Sequence, residues 1–204
     1  MNKKIILIIS LVLLTACNSN DHNDQNAQED ILSVTFTLNS LPDELDYNKS
    51  DTLDGHIEYQ WGVTFDISGD GAIDAGDVVL QILHFKYPDM EPQTGPITDL
   101  PADLWVYTSN TEISSEAEAS MQVSGNTITI SIDKSAYPAL KQITGDTLVY
   151  FETFAHDPTD GSSQYDYYPS YATFMSMPAD KHFTDAENDA SPSYIDLLSM
   201  SISL

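Results

Sequence analysis

The sequence predicts an all-β fold, a sandwich of two antiparallel sheets, and three observations carry that expectation. Apolar and polar residues alternate with period two in several separate stretches, the spacing that turns one side of a strand to a core and the other to water. Turn-forming glycine, asparagine, aspartate and proline stand between those stretches. No long segment carries the 3.6-residue apolar period of an amphipathic helix.

Taken in order, "SVTFTL" sets Val34, Phe36 and Leu38 on one face and Thr35 and Thr37 on the other. "EYQWGVTF" does the same with Tyr59, Trp61, Val63 and Phe65. "DVVLQILHFKY" reads either as a helix with Val79, Ile82 and Leu83 on one face or as a strand with Val79, Leu83, Phe85 and Tyr87 on one face. The strand is preferred, because Gly76 would fall inside the start of that helix at a cost of about 1 kcal/mol. Less regular strands are expected in "LWVY" (104 to 107), "SMQV" (120 to 123) and "TLVYFETF" (147 to 154). "VSGNT" has the Gly-Asn chemistry of a hairpin, leading into "NTITISI" with Ile128, Ile130 and Ile132 facing inward. The closing "LSMSISL" places Leu198, Met200, Ile202 and Leu204 against three serines, so this segment is expected to be tied into a sheet. The whole describes a two-sheet antiparallel β-sandwich of jelly-roll or immunoglobulin-like kind over residues 31 to 204.

The first residues, "MNKKIILIISLVLLTAC", have a charged start, a short apolar run and small residues before a cysteine, the layout of a secretory signal. The apolar run falls short of the roughly 20 residues a membrane span requires. Leu14-Thr15-Ala16-Cys17 resembles the lipobox of bacterial lipoproteins. The resemblance implies a signal peptide over residues 1 to 16 and lipidation of Cys17, the only cysteine in the chain. The protein would then be exported and anchored by its lipid to the cell envelope, at the outer membrane because Asn18 stands where some inner-membrane retention signals place aspartate. Residues 18 to 30, with Ala27 their one apolar side chain, read with Cys17 as a flexible lipidated tether. His22 between Asp21 and Asp24 belongs to that solvated tether.

Composition narrows the partners. Beyond residue 16 the chain has five lysines against 32 acidic residues, a side-chain charge of −27, and no arginine. Such a surface repels nucleic acid and lacks the forked donor that clamps phosphate, so DNA, RNA and nucleotide partners are not expected. Cations are the natural counterpart. With 41% hydrophobic residues, a core is still within reach.

"FDISGDGAIDAGD" places Asp66, Ser68, Asp70, Ala72, Asp74 and Asp77 at positions 1, 3, 5, 7, 9 and 12 of a loop, with Gly71 at position 6. This resembles the calcium loop of EF-hand proteins, and more closely its aspartate-ended form in dockerin modules. The resemblance implies side-chain oxygens from Asp66, Ser68, Asp70 and Asp77, a carbonyl from Ala72, and a direct or water-mediated contact from Asp74, a set suited to calcium. The second loop copy that dockerins carry is absent from the sequence, which removes the dockerin partner from consideration. Strand-like flanks point to an ion that fastens a hairpin and does not signal.

A Trp- and Phe-bearing strand entering an aspartate loop, with a Gly-Asn hairpin further on, is similar to calcium-containing β-sandwich modules of secreted bacterial proteins, many of which bind carbohydrate. "SQYDYYPSYATF" offers Tyr165, Tyr167, Tyr168 and Tyr171 as a ligand surface, since ring faces stack on sugars and nearby acids bond their hydroxyls. The same tyrosines can instead pack a long loop onto the sandwich. Catalytic patterns are absent: no His-Glu-x-x-His, Gly-x-Ser-x-Gly, phosphate loop or dinucleotide glycine pattern occurs, and His22, His56, His84, His156 and His182 show no metal-ligand spacing. The expectation is a calcium-binding, surface-anchored binding module for a glycan or an envelope protein, without catalysis. The alternatives are a glycoside-directed hydrolase using unidentified carboxylates, or a purely structural envelope lipoprotein.

Overall fold

The computed structural model describes residues 30–46, 57–85, 94–156, 163–185 and 193–204. The signal peptide, Cys17, residues 18 to 29 of the tether, His22 and His56 lie outside the described residues. In chain order the strands are β1 (Ile31–Leu38), β2 (Leu45–Asp46), β3 (Ile57–Asp66), β4 (Val78–Phe85), β5 (Thr94–Gly95), β6 (Ala102–Tyr107) and β7 (Ile113–Glu118). They continue with β8 (Ser120–Ser124), β9 (Thr127–Asp133), β10 (Leu148–His156), β11 (Ser163–Tyr168), β12 (Met175–Ser176), β13 (His182–Thr184) and β14 (Leu197–Ser203). Three short 3-10 turns complete the regular structure, and no α-helix occurs among the described residues. None of these elements is a helix long and apolar enough to cross a membrane.

Two antiparallel sheets face each other. One runs β13-β14-β1-β9-β8; the other runs β11-β10-β3-β4-β6-β7, with β12 also on the β10 edge. Alternation explains why the sheets bury one face. Leu32, Val34, Phe36 and Leu38 of β1 are fully buried while the residues between them are half-buried. Ile128, Ile130 and Ile132 of β9 stand beside them, paired to β1 in register. From the opposite sheet come Trp61, Val63 and Phe65 of β3, Val78, Leu80 and Ile82 of β4, and Leu104 of β6. The Phe36 and Phe151 rings meet edge to face between the sheets, 6.1 Å apart, an arrangement aromatic pairs favour beyond simple area burial. β14 pairs with β1, so the closing segment is tied into a sheet as expected.

The structure adds the inner face of one strand and corrects two other readings. In β4 the core face is Val78, Leu80 and Ile82; Val79 and Leu83 are buried on the outer face. A strand buried on both sides is apolar throughout, so period two does not reveal its inner face. In β14 a bulge shifts the register between Thr37 and Leu38, and Leu197 replaces Leu198 as the fully buried residue. Finally, the segment read as a tyrosine loop contains strand β11, paired with β10 from His156 and Ser163 to Phe151 and Tyr168.

Candidate functional site

The β3–β4 connection is the aspartate loop, and its flanks are strands. Phe65 pairs with Val78, so Asp66 and Asp77 stand at the two sides of the loop's neck, 1% and 0% exposed. Asp66 folds the loop around its own carboxylate: Oδ1 accepts from Ser68 Oγ at 3.0 Å and from Gly69 N, and Oδ2 accepts from Gly71 N at 2.7 Å. Gly71 has φ 81, a left-handed conformation that glycine reaches without the Cβ penalty. Asp70 Oδ1 accepts from Ala72 N at 2.9 Å. Asp77 accepts from Ile67 N at 2.8 Å and from Asp74 N at 3.0 Å, one bond on each oxygen. The neck is also fixed to β6, where Gly76 N donates to Tyr107 O and Tyr107 N to Asp77 O, both at 2.9 Å.

The carboxylates are close enough to feel one another. Burial pushes the Asp77 carboxyl up, against the pull of its two backbone N–H bonds, and the charges of Asp66 and Asp74 add to the rise. Asp74 Oδ1 is buried with no hydrogen-bond partner among the described residues. Among those residues, no three carboxylate, imidazole or thiol groups converge on one point in the way a bound ion draws them. The donor chemistry nevertheless suits a hard cation: a carboxylate oxygen that accepts one N–H keeps a second lone pair, and Asp74 Oδ1 has both free.

A few residues away, the outer face of the larger sheet forms a cleft of about 470 Å³. Glu152 on β10 stands at its floor, with Tyr167 directly opposite on β11 and Gly62 opposite on β3. Tyr150, two residues back on the same face, and Tyr165, two residues along β11, flank it. Tyr171, in the turn after β11, forms the far wall with Ala172, and Ile73 reaches in from the aspartate loop. The rings form a continuous row. Tyr150 and Tyr167 stack at 6.0 Å, Tyr165 and Tyr167 at 5.4 Å, and Tyr171 stands edge-on to Tyr167 at 5.1 Å. Tyr165 and Tyr171 are the solvent-facing rings, 45% and 72% exposed.

Burial pushes the Glu152 carboxyl up to about 7, and the neighbouring Tyr150 hydroxyl offsets only part of that. The Tyr150 oxygen is itself buried and lacks a hydrogen bond of good geometry among the described residues. Burial, and then the Glu152 charge, raise the phenols of Tyr150 and Tyr167 above the ordinary tyrosine range and push Tyr107 up to about 12. No cationic residue is among the described lining of the cleft.

Of the four tyrosines singled out from sequence, Tyr165, Tyr167 and Tyr171 line this cleft and Tyr168 does not. Tyr168 alternates to the other face of β11, where it packs on the core and meets the Phe183 ring at 6.3 Å. Sequence reading missed Tyr150 and Glu152, which lie in "TLVYFETF", a stretch whose apolar density conceals an outward-facing acid. A second concavity, of about 360 Å³, lies between Leu100 and Met121. It contains Asp103 and Glu118, register partners on β6 and β7. Burial, helped by the Glu118 charge, raises the Asp103 carboxyl. His84 and His182 sit on β4 and β13, strands of different sheets. No protein-family profile, curated protein or solved structure matches this chain.

Proposed function

We propose that this protein is a lipid-anchored envelope module that binds glycan through the tyrosine cleft and is stabilised by calcium in the aspartate loop. The observation that supports it best is the cleft itself: four tyrosine rings around a half-buried carboxylate, with Tyr165 and Tyr171 open to solvent. Sugars present apolar ring faces and a rim of hydroxyls, so rings to stack on and a few convergent polar groups are what such a ligand needs. Calcium in the loop would be held by Asp66, Ser68, Asp70, Asp77, the Ala72 carbonyl and Asp74, where its charge would offset the repulsion among buried carboxylates. Its supply of charge also bears on the cleft, because Ile73 of the same loop forms part of the cleft wall. The membrane partner is reached through the lipid on Cys17, and the −27 charge disfavours nucleic acid and nucleotide.

A glycan array run with and without a chelator tests this reading. Binding that weakens in chelator supports it, and no binding to any glycan under either condition removes it. The hydrolase alternative finds its best carboxylates in Asp103 and Glu118, which face each other across two strands. Release of reducing ends from an oligosaccharide, lost in Asp103→Asn, would favour that alternative over a binding module.

A further inference from the structure

The floor of the tyrosine cleft has a carboxylate that no described residue neutralises. Around Glu152 stand Tyr150 and Phe154 on its own strand, Tyr165 and Tyr167 on β11, and Tyr171 beyond it. Across the sheet the same row continues through Gly62 on β3 and Gln81 on β4, and Tyr107 on β6 also senses the Glu152 charge. All of these are neutral. No described lysine lines the cleft, and the chain has no arginine. The described lysines belong elsewhere: Lys134 pairs with Asp30 at 3.4 Å, Lys141 follows it in the next 3-10 turn, and Lys181 precedes β13.

A half-buried carboxylate that has a phenol hydroxyl beside it but no cation among the described residues either takes up a proton or recruits a cation. Here the surroundings favour an organic cation. Tyrosine faces attract ammonium groups, most strongly where water is excluded, and Tyr171 set perpendicular to Tyr167 encloses the space on more than one side. A small hydrated metal ion would find only one carboxylate and no carbonyl cage among the lining side chains, fewer oxygens than such ions demand.

We propose that the cleft selects glycans carrying a free amine, the ammonium of an amino sugar entering between the tyrosine rings to pair with Glu152 while the sugar face covers Tyr171. The proposal rests on the glycan reading above and adds the class of sugar. Its logic is differential: an N-acetylated sugar brings no charge and leaves Glu152 without a counter-ion, whereas the amine supplies one.

The test is calorimetric titration of the lipid-free mature protein, in excess calcium, with a β-linked glucosamine disaccharide and with its N-acetylated counterpart. The amine form should bind at least about tenfold more tightly, Glu152→Gln should abolish that preference, and Tyr171→Ala should weaken the binding of the amine form. Equal binding of the two sugars by the wild type overturns the proposal and leaves the glycan reading standing. A preference that survives Glu152→Gln also overturns it, since general attraction of a cation to so acidic a surface would survive the loss of one charge. Binding of neither sugar, together with an empty glycan array, removes the underlying glycan reading as well.

Discussion

At the scale of single residues, Glu152 is one of the carboxyls, with Asp77 and Asp103, that burial raises and so links to pH. Its carboxyl titrates at about 7 in the fold and near 4.5 when free of it. Between those values the native state holds a proton that the unfolded chain has released, so this residue's contribution makes stability fall as pH rises through that window. Glu152→Gln keeps the shape and removes the effect; at pH 8 the variant should be more stable than wild type by about 2–3 kcal/mol, and at pH 4 the two should melt alike. Two backbone positions nearby have equally local consequences. A Cβ on Gly62 would meet Gln81 Cβ at 3.0 Å, and Gln81 is fixed by the 2.9 Å bond from Gln60 Nε2. Gly62→Ala, ordinarily favourable in a strand, should therefore destabilise by about 1–2 kcal/mol in denaturant unfolding. Ala172 lines the cleft at φ 49, a conformation costing a non-glycine residue about 1 kcal/mol. Ala172→Gly should recover a similar amount.

At the scale of elements, the aspartate loop is a preformed turn whose amides already point at Asp66 and Asp77, with Asp74 Oδ1 left unpaired. If calcium binds there, saturating it should add about 1–3 kcal/mol to stability by linkage, and Asp70→Ala should remove the increment seen between chelator and millimolar calcium in thermal melts. Melting curves that coincide in the two conditions would count against the ion. How readily each element could be read from the sequence follows from its surroundings. β1, β3 and β9 have a core on one side and solvent or polar contacts on the other, so their alternation stated both strand and inner face. β4 is buried on both faces, and only the strand itself was legible. β7 alternates little and is largely exposed at a sheet edge, which leaves no hydrophobic period to detect. β11 was hidden because tyrosine suits both a packed loop and a strand, and only pairing with β10 shows that Tyr167 and Tyr168 point to opposite faces. The cleft needs three segments distant in sequence, 73, 150 to 152 and 165 to 172, and no local pattern could have joined them.

At the scale of the whole molecule, a conventional sandwich core is combined with an acidic chain and a tyrosine-lined cleft on the outside of the larger sheet. The core accounts for the fold; the outer face carries the half-buried acid, the aromatic row and the nearby loop. The proposed lipid anchor belongs to this scale too: Cys17→Ser should move the protein from the membrane to the soluble fraction without altering its melting temperature, and retention in the membrane fraction would argue against the lipobox. The measurement that bears most directly on the central claim is chemical-shift mapping by NMR during titration with whichever glycan binds best on an array. The cleft account expects Tyr165, Tyr167 and Tyr171 to shift together with Glu152 and Ile73. Shifts confined to Asp103, Glu118 and their neighbours, with the tyrosines unmoved, would contradict it.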